Sequence, residues 1–156
     1  MTALTSIIRA IYYLITSKLK FPPYYNNKVV RTNDGKEFKI FRHMHLKSSS
    51  QSEAGSVFIV RFKFKKFSHS ANIRLSRIPI LLIAGFPGFR DKLWMIDWKT
   101  DYWQGIYQWE NLESIESYKK SFVLGMMNKR AIDKSISYEI IKDKNIDDYL
   151  QSIILQ

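Results

Sequence analysis

The stretch Ser56–Phe67 alternates, most plainly from Val60 to Lys65, where apolar and basic side chains take turns. Phe58, Val60, Phe62 and Phe64 fall on one side, and Arg61, Lys63 and Lys65 on the other, as successive side chains of a β-strand do. A strand with one such apolar face must bury it against another layer. The sequence downstream supplies the layer. Ile78–Ile83 is a dense apolar run with Pro79 near its start and Gly85 just past its end, which predicts a buried helix over 72–84, kinked near Pro79. Gly85-Phe86-Pro87-Gly88 reads as a turn. Phe89–Trp98 and Tyr102–Trp109 read as a hairpin around Lys99-Thr100-Asp101, with Gly105 leaving room among aromatic neighbours. Leu112, Ile115, Tyr118, Phe122 and Met126 form the stripe of a helix over 111–128. A final strand is expected over Ser135–Ile141. The order strand, helix, hairpin, helix, strand predicts an α+β domain of ferredoxin-like β-α-β-β-α-β type over 56–141. Its four-stranded antiparallel sheet carries both helices on one face. The opposite face needs a cover, either a second subunit or the amino-terminal hairpin.

The remaining segments flank this domain. Residues 1–50 read as an extension: an amphipathic helix with Leu4, Ile7, Ile8, Ile11, Tyr12, Ile15 and Leu19 at helical spacing, capped by Thr5 or Ser6. The two prolines of Phe21-Pro22-Pro23 force an extended stretch. A hairpin then turns at Asn33-Asp34-Gly35, and Ser48–Ser52 has the composition of a linker and marks the domain boundary. Residues 142–156 form a tail whose Ile146–Leu155 stretch suits a short helix. The first helix contains Arg9 and is shorter than the roughly 20 apolar residues of a membrane span. It also lacks a signal peptide's charged start and cleavage site.

Charge narrows the partners. The chain has 156 residues, no cysteine, and a net charge of +11. The positive charge is concentrated in residues 1–48 and 61–77, while residues 111–156 balance. Disulfide, thiolate and cysteine-zinc chemistry are excluded. A basic surface of this kind suits an anionic partner, and an amphipathic basic helix suits an anionic membrane surface. A cytoplasmic protein, peripheral at a membrane if that helix engages lipid, is the expectation. Phe62-Lys63-Phe64-Lys65-Lys66-Phe67 mixes rings and cations as single-strand RNA readers do. Strand alternation, however, turns the rings at 62 and 64 away from the lysines, which argues against nucleic acid.

Gly85-Phe86-Pro87-Gly88-Phe89-Arg90, Leu93-Trp94, Gly105-Ile106-Tyr107 and Trp109-Glu110 together resemble the dimeric α/β-barrel superfamily. The nearest types are the YdhR-like and antibiotic-biosynthesis monooxygenases. A "PGF" entering the second strand and a "G-x-Y-x-W" in the third carry the resemblance, which covers about residues 56–141. It implies a homodimer whose two sheets close into a barrel, with a pocket between each sheet and its helices. Some members oxidise polycyclic phenols without metal or cofactor, and others degrade haem using an Asn, a Trp and a helical His. The helix at 111–128 has no histidine, and Asn72 and Trp94 fill the other two roles only loosely. No cofactor is therefore expected, haem being the one the resemblance leaves open.

The candidate catalytic residues are His69, which precedes the buried helix as a pocket acid or base, and Tyr107, a proton donor. Arg61 and Arg90 are candidates to hold a carboxylate or phenolate, although outward ion pairs are the commoner explanation of such arginines. Trp94 and Trp109 are candidates to stack on a flat ligand, or simply to fill the core. Asn72 joins them through the resemblance. His43 and His45 share a strand face, but a metal site needs further ligands and none is evident, so no metal is expected. The resulting functional expectation is a cofactor-independent monooxygenase-like enzyme or a binder of a flat aromatic molecule. The alternative is a non-catalytic protein that meets anionic membranes or a partner through its basic first third.

Overall fold

A computed structural model describes residues 2–47 and 55–155. The Ser48–Ser52 linker lies outside the described residues. Seven strands form one antiparallel sheet: β1 (Leu19–Lys20), β2 (Val29–Arg31), β3 (Glu37–Leu46), β4 (Ser56–Phe62), β5 (Phe89–Asp97), β6 (Tyr102–Trp109) and β7 (Ser137–Ile141). Their order is β1-β3-β5-β6-β4-β7, with β2 beside β3. The inner run β5-β6-β4-β7 is the ferredoxin-like order, in which each crossover returns over one face. Register places Phe58 opposite Tyr107, Val60 opposite Gly105, and Gly105 in turn opposite Trp94.

The helices are α1 (Ala3–Ile15), α2 (His69–Leu75), α3 (Ile80–Ala84), α4 (Leu112–Lys119), α5 (Phe122–Arg130) and α6 (Ile146–Gln151). Phe58, Val60 and Phe62 are buried on the helix side with Ile115, Tyr118, Val123 and Leu124, and Phe64 packs against that cluster. The first helix is capped by Thr2, whose side chain accepts from the Thr5 amide, rather than by Thr5 or Ser6. The buried helix over 72–84 is two helices. Pro79 caps the second and cannot continue the first. The helix over 111–128 is also two, because Ser121 accepts from the Leu124 amide and restarts the chain as a new N-cap. Phe122 and Met126 consequently face outward. Strand β4 stops at Phe62, and the chain then pairs with the segment after α5: Lys65 N donates to Arg130 O, and Ile132 N to Lys63 O.

The amino-terminal hairpin widens the sheet instead of covering it. Strand β3 lies along β5 from Lys39 opposite Ile96 to His45 opposite Asp91, with a bulge at Ile40–Arg42. The second face is covered by the carboxy-terminal segment. Ile146 and Leu150 of α6 pack with Tyr25, Val57, Ile59, Leu93 and Ile106, and Ile154 bridges to Val30. Tyr25 Oη donates to Asp147 Oδ1. Helix α1 sits on α3 through small groups. Ser6 and Ala10 are buried, and the approach is so close that a Cβ on Gly85 would stand 1.8 Å from the Ser6 carbonyl oxygen. Its outer stripe of Leu4, Ile8, Ile11 and Ile15 faces solvent. Among the described residues no helix is long and apolar enough to cross a membrane.

Candidate functional site

The interrupted helices do not fill the space above the sheet. A mostly apolar cavity of about 370 Å³ remains between them. Its floor is Val60 and Phe62 from β4, Lys92 and Trp94 from β5, and Gly105 and Tyr107 from β6; α2, α3, α4 and α5 supply the roof. Gly105 keeps the floor open. A Cβ there would lie 2.9 Å from Tyr107 Cε2, so any side chain would displace the ring.

Strand alternation explains the floor. On β5, Leu93 and Met95 face the α6 side, so Lys92, Trp94 and Ile96 face the helices. Lys92 is 5% exposed. Its Nζ donates to Tyr107 Oη at 2.7 Å and stands 4.2 Å from both the Trp94 and Tyr107 ring centroids. Among the described residues no carboxylate pairs with it. Burial, and secondarily the charge of Arg42, hold its amine well below the ordinary 10.5. Tyr118 stands beside Tyr107, with ring centroids 5.5 Å apart, and burial pushes both phenols up. They therefore stay protonated across the neutral range. Arg42 approaches from β3, donating to Ser76 Oγ at 2.8 Å, with its guanidinium 5.4 Å from the Trp94 ring. Arg130 completes the wall and donates to Asn72 Oδ1 at 2.8 Å. The ionisable side chains of Lys and Arg type that line the cavity are Lys92 and Arg130.

Of the residues singled out in the sequence, Trp94 and Tyr107 line this cavity and the others do not. His69 opens α2 and is tied to the β5–β6 turn. Trp103 Nε1 donates to its Nδ1 at 3.0 Å, which leaves the proton on Nε2, directed at Asp101 Oδ1 at 2.9 Å. Arg61 lies on the α6 side and donates to Gln104 Oε1 and Asp34 Oδ2. Asn72 is buried and donates to the Lys66 and Phe67 carbonyls, so it fixes the loop behind Arg130. Arg90 lines a separate polar groove of about 630 Å³ with Lys18, Lys20 and Lys47. Trp109 is fully buried among Phe86, Phe89 and Tyr118. His43 and His45 grip one carboxylate: Asp91 lies 2.7 Å from His43 Nε2 and 2.9 Å from His45 Nδ1. Among the described residues no cluster of three His, Asp or Glu is placed to hold a metal ion.

Sequence reading missed Lys92, Tyr118, Arg42 and Arg130. A signal for Lys92 was available, since it shares strand parity with Trp94 and Ile96. Haem is the cofactor that the resemblance raises, and the donor set does not fit it. No histidine lines the cavity, the asparagine is committed to backbone and Arg130, and the two tyrosines are held protonated.

No protein-family model matches the sequence, and a comparison with curated proteins gives no match. Solved structures do match. An uncharacterised ferredoxin-fold protein from Listeria monocytogenes related to antibiotic biosynthesis monooxygenases aligns with a TM-score of 0.53 at 11% identity, over 87% of this chain and 88% of that one. A monooxygenase-like protein from Listeria innocua gives 0.52 at 13% identity, over 86% and 89%. A heme-degrading enzyme from Listeria monocytogenes gives 0.52 at 14% identity, over 84% and 92%. At these identities the match speaks for architecture alone, and the chain has a ferredoxin-like fold with a sheet widened beyond four strands.

Proposed function

We propose that this protein binds a flat, largely apolar small molecule in the cavity between the sheet and the helices, as a monooxygenase-like enzyme or a binder. The observation that carries the reading is the cavity itself: an apolar space of about 370 Å³ over an aromatic floor, with a few polar groups converging at Lys92 and Tyr107. Such a combination is the usual form of a small-molecule site. Trp94 offers a stacking surface, and Tyr107, raised by burial, keeps its phenolic proton at neutral pH. From outside the lining, His69 holds Trp103, Asn72 braces Arg130 and Trp109 packs on Tyr118, whereas Arg61 and Arg90 lie away from the cavity.

Titration with flat phenols, followed by tryptophan fluorescence and thermal shift, tests the reading. Saturable quenching that is lost in Val60→Phe, which fills the floor, is the expected result. No response to any phenol would remove the proposal. Haem serves as the contrasting probe, and a one-to-one Soret shift would replace the phenol reading with a haem-binding one.

A second reading rests on α1. Its exposed apolar stripe ends beside Lys18, Lys20 and Lys47, a combination suited to an anionic membrane surface. Homodimerisation through the same stripe is the competing arrangement. Cosedimentation with anionic vesicles that Ile8→Glu and Ile15→Glu abolish supports the membrane, while a doubled mass in light scattering that the same changes halve supports the dimer.

A further inference from the structure

We infer that Lys92 is a carbonyl-capturing amine, and that the cavity takes an aldehyde or ketone on an apolar, flat body as an imine on Lys92 Nζ, with Tyr107 passing the proton. The inference rests on the preceding reading that a small molecule enters this cavity, and it names the chemical class.

The geometry sets three conditions for such chemistry side by side. The amine projects into an apolar space large enough for a ring system. It has no carboxylate partner among the described residues, so nothing there fixes it as an ammonium. A hydroxyl stands within hydrogen-bond reach, at 2.7 Å. Desolvation and a neighbouring cation are the two means by which a lysine is turned into a nucleophile at neutral pH. Both act here, through burial and through Arg42. A lysine placed to neutralise an anion would be expected to have several donors converging with it. Instead, Lys92 is flanked by the ring faces of Trp94 and Tyr107.

The step balances without an oxidant or metal. The Nζ lone pair forms the C–N bond while the carbonyl π pair moves to oxygen. A proton passes from nitrogen to that oxygen, giving the carbinolamine. Tyr107 Oη–H protonates the hydroxyl, the C–O bond breaks, and water leaves as the nitrogen pair closes C=N. The iminium N–H returns its proton to Tyr107, so the net change is amine plus carbonyl to imine plus water. The neighbouring Tyr118 hydroxyl, whose influence favours the ionised form of Tyr107, steadies the phenolate formed in passing.

The test uses the full chain with cinnamaldehyde and borohydride, read by intact mass and peptide mapping, with cinnamyl alcohol as the non-carbonyl match read by tryptophan quenching. The expected result is one dominant adduct at Lys92, formed about tenfold faster than on exposed lysines. It should be absent in Lys92→Met and Lys92→Arg, and slowed about tenfold or more in Tyr107→Phe. Circular dichroism checks that each variant folds, and Lys92→Arg keeps the cation while removing the nucleophile. Labelling spread evenly over surface lysines while cinnamyl alcohol still quenches would overturn the inference and leave the binding site standing. Failure of both probes would overturn the inference together with the reading it rests on.

Discussion

The two faces of the sheet come from the same strands and are finished differently. On the α6 side, Val57, Ile59, Leu93, Met95 and Ile106 meet one short helix and a tail, and the space is filled. Its polar groups close on one another: Tyr25 on Asp147, Arg61 on Gln104 and Asp34, and Asp91 on two histidines. On the other side four short helices bridge the sheet and leave it hollow, and Lys92 has only a tyrosine. A residue pair on one strand, Lys92 and Leu93, thus belongs to two different environments. The comparison shows what separates architecture from chemistry in this fold. Polar groups that close on one another hold segments together, whereas an amine kept in an apolar hollow without a carboxylate is available to a ligand.

Substitutions on the two faces sharpen this contrast. Leu150→Ala, in the filled face, should cost about 3 kcal/mol in urea unfolding, because a packed void is left. Met126→Ala, on the cavity rim, should cost less than about 1 kcal/mol, because its neighbours already border empty space. Equal costs would break the comparison.

Lys92→Met should stabilise the fold, raising Tm at neutral pH by about 3–6 °C. The folded amine lies below 10.5, so between the two values the unfolded chain holds more protons and stability rises with pH. The advantage of methionine is therefore largest at low pH and fades as pH approaches 10.5. A gain independent of pH would mean that the amine is not strained by its surroundings.

The smallest effect belongs to His45, raised above 6.5 chiefly by its hydrogen bond with Asp91 and half-buried. Its contribution is whole below pH 6.5 and is lost as pH rises through the folded value. With solvent screening it should be under about 1 kcal/mol. The urea midpoints of wild type and His45→Asn should therefore converge as pH rises above 6.5.

Much of the inner sheet was legible because strand parity and turn chemistry are local. Phe58, Val60 and Phe62 announced β4, and Asp34-Gly35 and Lys99-Thr100-Asp101 announced two hairpins, as the structure has them. Pro79 announced a kink where the structure has a full break, and the break at Ser121 was harder to read, because a cap inside an apolar stripe looks like its continuation until the amide it accepts from is known. The pairing of β3 with β5 depends on a register between distant segments that no local pattern encodes. Within the site, Trp94 and Tyr107 were recognisable as rings on a strand around Gly105. His69, Arg61 and Asn72 were chosen for their chemistry, and each proved to have its hydrogen bonds satisfied elsewhere. Lys92 was overlooked because a lysine in a strand is usually assigned to solvent.

The junction of β2 with the carboxy-terminal tail bears on how fast the molecule assembles. Arg31 N bonds to Ile153 O, and Leu155 N to Val29 O, so segments from opposite ends of the described chain close one ladder. Contacts of such long sequence separation form late, because the entropy of joining the ends is lost before the bonds repay it. Refolding should then run on a scale of milliseconds to seconds, with the β5–β6 hairpin established early and the tail clasping β2 as one of the last events.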